Sequence, residues 1–154
     1  NHMKHIWTVL CQKSSIDNET NLLSLFNCVE ELSLVIDKTK APKGDLVIPI
    51  EFQLVSFWTV ENPSKDNVLE MKSELLDPSG KTLNKFENKF NIKKGVLRFR
   101  NRHNFQGLPI TEVGRYIIRM MQKKEYKKEF ETVIELPLDI KISYKLMDIP
   151  NTKV

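Results

Sequence analysis

The segment Glu112-Val113-Gly114-Arg115-Tyr116 runs straight into Ile117-Ile118-Arg119-Met120-Met121. An acidic residue, a glycine and a tyrosine at alternate positions, ahead of a β-rich run, read as a corner. In such a corner the tyrosine hydroxyl bonds back to backbone a few residues upstream. Gly114 fits where the chain turns tightly against a packed ring. The strands before and after the corner then fall in different layers. Glu112, Gly114 and Tyr116 therefore constrain architecture and carry no chemistry of their own.

The rest of the chain alternates as strands do. Residues 4–12 are apolar on both faces, with Ile6 and Leu10 on one and Trp7, Val9 and Cys11 on the other, which fits a strand covered on both sides. Residues 21–36 fit two readings. Leu22, Leu25, Phe26, Val29 and Leu32 make a helical stripe that Asn18 or Thr20 would cap. The strands on either side favour one long strand instead. Asp37 to Asp45 is a loop, and 46–60 a long strand with a bulge near Ser56. In 68–76, Leu69, Met71, Ser73 and Leu75 share the inner face. Asp77-Pro78-Ser79-Gly80 has the preferences of a type I turn followed by a left-handed glycine. In 81–92, the step from Leu83 to Phe86, Phe90 and Ile92 implies another bulge. Leu97 and Phe99 point inward from a strand at 95–101, and Arg102 to Val113 reads as the crossing between sheets. Strands at 115–123 and 127–143 complete the set. Trp7 and Trp58 are expected in the core.

The predicted fold is all-β: an immunoglobulin-like antiparallel β-sandwich of about eight strands with Greek-key connections. With 154 residues, 40% hydrophobic and 29% charged, the chain fits a single domain over 3–146. Asn1-His2 reads as a cloning remnant, and 147–154 as a loose tail. The start is too short and polar for a signal peptide, and no apolar run is long enough to span a bilayer. A cytoplasmic location is expected, with no membrane partner. Ile118 stands two residues after the corner Tyr116, where immunoglobulin domains carry a bridging cysteine. Cys11 and Cys28 are then expected as free, buried thiols in a reducing compartment.

Two basic stripes stand out. Arg98, Arg100 and Arg102 share one strand face at a spacing of roughly 6.5–7 Å, which would track a phosphate backbone. With a net charge of +4 and a pI near 9.0, this is the nucleic-acid alternative. Arg115, Arg119 and Lys123 form the second stripe. A tight turn at Lys124-Glu125-Tyr126 would place Lys123 opposite Lys127, Arg119 opposite Glu131 and Arg115 opposite Glu135. It would also set Tyr116 against Ile134, Ile118 against Thr132 and Met120 against Phe130. Cross-strand ion pairs would then account for the second stripe as sheet surface.

Catalytic signals are missing. The chain has no Gly-x-Ser-x-Gly elbow and no Gly-rich phosphate loop among its five glycines. His5 and His103 have no ligand spacing with each other or with either cysteine. Glu30 and Glu31 point to opposite faces of a strand, and the turn accounts for Asp77. No catalytic residue, metal or cofactor is expected.

Trp7-Thr8-Val9-Leu10-Cys11-Gln12, the stretch Asp17 to Asn27 and the late Gly114-Arg115-Tyr116 resemble an uncharacterised prokaryotic family of β-sandwich proteins. The resemblance implies an immunoglobulin-like sandwich over nearly the whole chain and brings no catalytic residues. The expected function is a non-enzymatic protein-interaction module that binds an unidentified protein through an exposed sheet edge.

Overall fold

The computed structural model describes residues 3–37 and 46–146. Every regular element among them is a strand: β1 (Met3–Ile16), β2 (Leu23–Cys28), β3 (Glu31–Asp37), β4 (Leu46–Val60), β5 (Asn67–Leu76), β6 (Thr82–Ile92), β7 (Arg98–Ile110), β8 (Gly114–Lys123) and β9 (Phe130–Lys145). They form two sheets ordered β2-β1-β4-β7 and β3-β9-β8-β5-β6. The sheets enclose one core, with Leu54 and Trp58 from β4, Leu69 from β5, Tyr116 and Met120 from β8 and Leu138 and Ile140 from β9. The expectations for residues 1–2, for most of the loop at 37–45 and for 147–154 lie outside the described residues.

The ninth strand comes from residues 21–36, which are neither a helix nor one long strand. The chain leaves the first sheet after Cys28 and enters the second at Glu31. Asn27, with φ of +52°, sits just before the switch, and asparagine tolerates this left-handed geometry better than most residues. The result is one parallel pair, β3 with β9, in an otherwise antiparallel structure.

Tyr116 is fully buried. Its hydroxyl donates to the Glu112 carbonyl (2.6 Å) and accepts from the backbone N–H groups of Thr111 (3.0 Å) and Glu112 (3.1 Å). The expected corner is present and joins β7 of the first sheet to β8 of the second. Gly114, at φ +139°, lies against the Pro78 ring; an added Cβ would meet it at 3.1 Å. The Asp77 turn is also as expected, with Gly80 at φ +90° and its N–H bonded to the Asp77 carbonyl. Leu83 is the bulge, because Leu75 pairs with Asn84 and Leu76 with Thr82.

Several expectations are corrected. Ser56 marks no change of parity, since Phe52, Leu54, Ser56, Trp58 and Val60 are all buried. The irregularities in the pairings of β4 lie elsewhere. One is in β1 between His5 and Trp7, which leaves Ile6 exposed, and the other is at Pro49-Ile50 opposite Gly107. Gly107 takes φ +84°, so β7 continues through to Ile110 where a crossing was expected. Leu97 is exposed just before β7 rather than inward. Trp58 is a core anchor whose ring N–H reaches the Ser56 hydroxyl at 3.0 Å. Trp7 is half-buried on the outer face, its ring 5.6 Å from that of Phe57.

The β8–β9 hairpin closes through the six residues Lys124 to Glu129, with Tyr126 at φ +70°. Up to Met120 its register lies four residues from the expected one, and a bulge between Met120 and Met121 makes the offset three beyond it. Tyr116 faces Leu138, Ile118 faces Leu136 and Met120 faces Ile134, while Arg119 faces Glu135 and Arg115 faces Asp139. Up to the bulge the slide is even and keeps each side chain on its face. It replaces Thr132 and Phe130 with larger or better-placed aliphatic partners, and brings Leu138 into the core.

Tyr116→Phe removes one donor and two acceptor contacts from a buried corner. A loss of about 1–3 kcal/mol is expected in urea unfolding, with an unchanged slope; unaltered stability would show that the corner is dispensable. The Ser79 hydroxyl, opposed by burial and aided by the N–H groups of Lys81 and Ser79 and by Thr111, holds the Asp77 carboxyl below its ordinary value. The stability this contributes is present above the unfolded value of about 3.9 and disappears as pH falls through the lower folded value. Asp77→Asn therefore flattens the acid limb of a stability–pH curve below about pH 4; an acid limb of equal steepness would refute the assignment.

Candidate functional site

On both sides of the sandwich consecutive strands carry the chain from sheet to sheet: β2 passes to β3 through residues 29–30, and β6 passes to β7 through residues 93–97. Along the second side, aromatic side chains fill the seam between the two edge strands. Phe86 of β6 stacks on His103 of β7 with ring centres 3.8 Å apart, and Phe105 meets the same imidazole edge-on at 4.8 Å. Further along, Phe90 and Phe99 approach to 4.9 Å. These rings lie on the inner faces of two edge strands, where the core thins out. Phe86 reaches the surface, and Asn88, Phe90, Phe99 and Phe105 are half-buried. Burial pushes the His103 pKa down, so the imidazole is neutral near pH 7 and works as another apolar ring.

At the Phe105 end the seam opens into an apolar slot floored by Leu75, Leu108 and Ile118 and walled by Phe86, Phe105 and Gly107. Its cavity volume is about 30 Å³. A single water needs roughly 10–15 Å³ on this measure, so the slot takes the end of one apolar side chain and not a nucleotide.

Arg98, Arg100 and Arg102 do share the outer face of β7, and none forms an ion pair among the described residues. Two of them have a structural task. Beyond Cys11, β1 leaves β4 and pairs with β2 alone, and the tip of this hairpin reaches back toward β7. Both terminal nitrogens of Arg100 donate to the Asn21 carbonyl at 3.0 Å. Arg102 donates to the Ser14 hydroxyl at 3.4 Å, and Ser14 donates to Gln53. The hairpin gives the first sheet a second cover: Val55 and Cys11 are fully buried yet lie outside the main core cluster.

The second basic stripe is neutralised by its neighbours. Arg115 holds Asp139 with two bonds of 2.8 and 3.0 Å, Arg119 bonds Glu135 at 3.0 Å, and Lys123 bonds Glu70 at 3.0 Å. The expectation of sheet-surface ion pairs holds, with the partners shifted by the register.

A wider polar depression of about 430 Å³ includes His5, Glu61, Lys124 and Glu131. His5 lies within 2.6 Å of the Thr8 hydroxyl and packs edge-on against Trp58. Burial lowers its pKa, against a backbone hydrogen bond at Trp7 that raises it. Thr8 is itself buried, so this pair presents no nucleophile at the surface. Among the described residues no three His, Cys, Asp or Glu side chains are grouped to hold a metal ion, and no helix is long and apolar enough to cross a membrane. Both thiols are free; Cys11 is buried, whereas Cys28, directly opposite it in register, is exposed rather than buried as expected.

No family model matches the chain, and a search of curated proteins returns no match.

Sequence reading found the aromatic residues and the Arg stripe but not the slot. The slot depends on which two strands end their sheets on the same side, and that strand order is a property of the assembled fold.

Arg100→Ala releases the Asn21 carbonyl. Amide exchange over Asn21 to Leu23 is expected to quicken about tenfold, matching the roughly 1.5 kcal/mol of a hydrogen bond from a charged donor, while the global unfolding midpoint barely moves. Unchanged exchange would show that the contact does not hold the hairpin down.

Proposed function

We propose that this chain is a member of the uncharacterised prokaryotic family that it resembles, and that it acts in the cytoplasm as a non-enzymatic protein-interaction module on an immunoglobulin-like frame. The second sheet supports the frame: its order, with a parallel β3–β9 pair at one end, matches that of an immunoglobulin sheet whose first strand divides between layers, and the Tyr116 corner stands at the start of β8. β1 is an addition, inserted between β2 and β4.

The observation that carries the interaction reading is the open side. β6 and β7 each end a sheet there, leaving unpaired backbone N–H and C=O groups along 11 and 13 residues. Such edges template the addition of an extended segment. The apolar slot between them receives one side chain of that segment, while Phe86 and the aromatic seam supply the desolvated centre of the contact. Backbone pairing provides affinity and the slot provides selection.

A displayed library of random twelve-residue peptides panned on the purified chain tests this reading. Enriched peptides are expected to carry one aliphatic or aromatic anchor among polar residues and to slow amide exchange in β6 or β7. Phe86→Asp, at a surface-reaching position, is expected to weaken them at least tenfold, about 1.4 kcal/mol. Absence of enrichment, or protection confined to β2 and β3, would sink the reading. Salt-sensitive nucleic-acid binding lost in the Arg98→Ser/Arg100→Ser/Arg102→Ser variant would put the nucleic-acid alternative in its place.

A further inference from the structure

The β6 edge has a feature that the other edges lack. From Asn84 to Ile92 it pairs with β5 without interruption and contains neither proline nor glycine. β2 and β3 are shorter, and β7 is broken by the Gly107 bulge and Pro109. Protected edges are short, bulged or charged, with lysine above all; this one is long and regular from Asn84, and its Lys85 and Lys89 flank Glu87, which offers them an opposite charge.

We propose that β6 pairs antiparallel with β6 of a second copy of this chain, in a register centred on Asn88, to make one continuous sheet across a symmetric dimer. The proposal rests on the interaction reading of the open side and names its partner. A two-fold axis at Asn88 sets each residue opposite the one whose number sums with its own to 176. Glu87 then faces Lys89 of the second copy, and Lys89 faces Glu87, giving two ion pairs on the outer face. On the inner face Phe86 faces Phe90 twice. Aromatic and opposite-charge cross-strand pairs are the ones that stabilise a ladder.

Neighbouring registers are worse. Centring on Glu87 opposes it to itself and sets Lys85 against Lys89. Centring on Lys89 opposes two ammonium groups. Centring on Phe86 keeps two ion pairs, Lys85 with Glu87, but sets Phe90 against Thr82 and Leu83 against Lys89. Registers shifted by one residue pair inner faces with outer ones. Only the Asn88 centre satisfies both faces. The groups it needs are accessible: Glu87 is exposed and has no ion pair among the described residues, and Lys89, which bonds Glu70 at 3.1 Å, has a side chain 63% exposed. An isologous contact of this kind closes on itself and stops at two copies.

One ladder is a small interface, below the roughly 1,200 Å² of stable complexes, so dissociation in the range of about 1 to 100 µM is expected. Sedimentation velocity of the full chain from about 1 µM to 1 mM spans it. The wild type is expected to move from monomer to dimer over this range. Glu87→Lys places like charges together at both pairs and is expected to weaken association at least tenfold. Lys89→Glu is expected to do the same, and the double variant Glu87→Lys/Lys89→Glu to recover most of the loss, because it reverses both pairs. Circular dichroism and thermal melting show that each variant is folded; if Lys89→Glu fails through repulsion from Glu70, the wild type and Glu87→Lys alone decide the matter. A wild type that stays monomeric at 1 mM, or a dimer indifferent to Glu87→Lys, overturns the proposal. A monomer that still captures displayed peptides removes the second copy and leaves the interaction reading standing, whereas a charge-sensitive dimer that captures none supports the second copy alone.

Discussion

The structure depends on one buried hydroxyl. Tyr116 closes the passage from β7 to β8, the point where the chain changes layer, and it does so by satisfying two backbone donors and one acceptor that the turn would otherwise leave unpaired. The Thr111 hydroxyl then donates to Asp77 at 3.3 Å, which couples the corner to the β5–β6 turn, and Gly114 lets the backbone sit against Pro78. Two connections that belong to different strands, the β7–β8 corner and the β5–β6 turn, are thereby held together at one end of the sandwich. The slot at the open side lies along the same strands, lined by Leu108 of β7 and Ile118 of β8. The corner thus joins two of the strands that line the slot without itself lining it.

Much of this was legible in the residues themselves. The corner, the Asp77 turn, the bulge at Leu83 and the inner face of β5 follow from local chemistry: a residue type that suits a backbone geometry, or a period of two against a core. Register was less legible. In the β8–β9 hairpin the inner and outer faces are right from Arg115 to Met120 because an even slide preserves them, but the partners there lie four residues away. The loop was longer than the tightest turn, and the gain from seating Leu138 against Tyr116 is a property of the assembled core. The division of residues 21–36 between two sheets left the weakest trace. No proline or glycine marks it, and Asn27 alone hints at the change of direction.

The basic stripes show a similar limit. Arg115 and Arg119 read as sheet surface because acids of the right parity follow them in the chain. Arg100 and Arg102 have no such neighbours in the sequence. Their partners are a backbone carbonyl at Asn21 and a hydroxyl at Ser14, about eighty residues earlier. A carbonyl carries no sequence signal, and the hairpin that delivers it folds over the outer face of the first sheet.

Both sides of the sandwich are crossed by a short link, residues 29–30 between β2 and β3 and residues 93–97 between β6 and β7. A link of this kind joins the sheets at one end and leaves the lengths of β6 and β7 unbridged. The aromatic seam is the remaining means of keeping water from the core there, and rings suit it because they span the gap between sheets with little loss of conformational freedom. A seam built this way is closed enough to keep the core dry and open enough to leave two backbone edges unpaired. Those edges and the slot between them are where an added strand gains most, since it would satisfy backbone groups and cover apolar rings in one step.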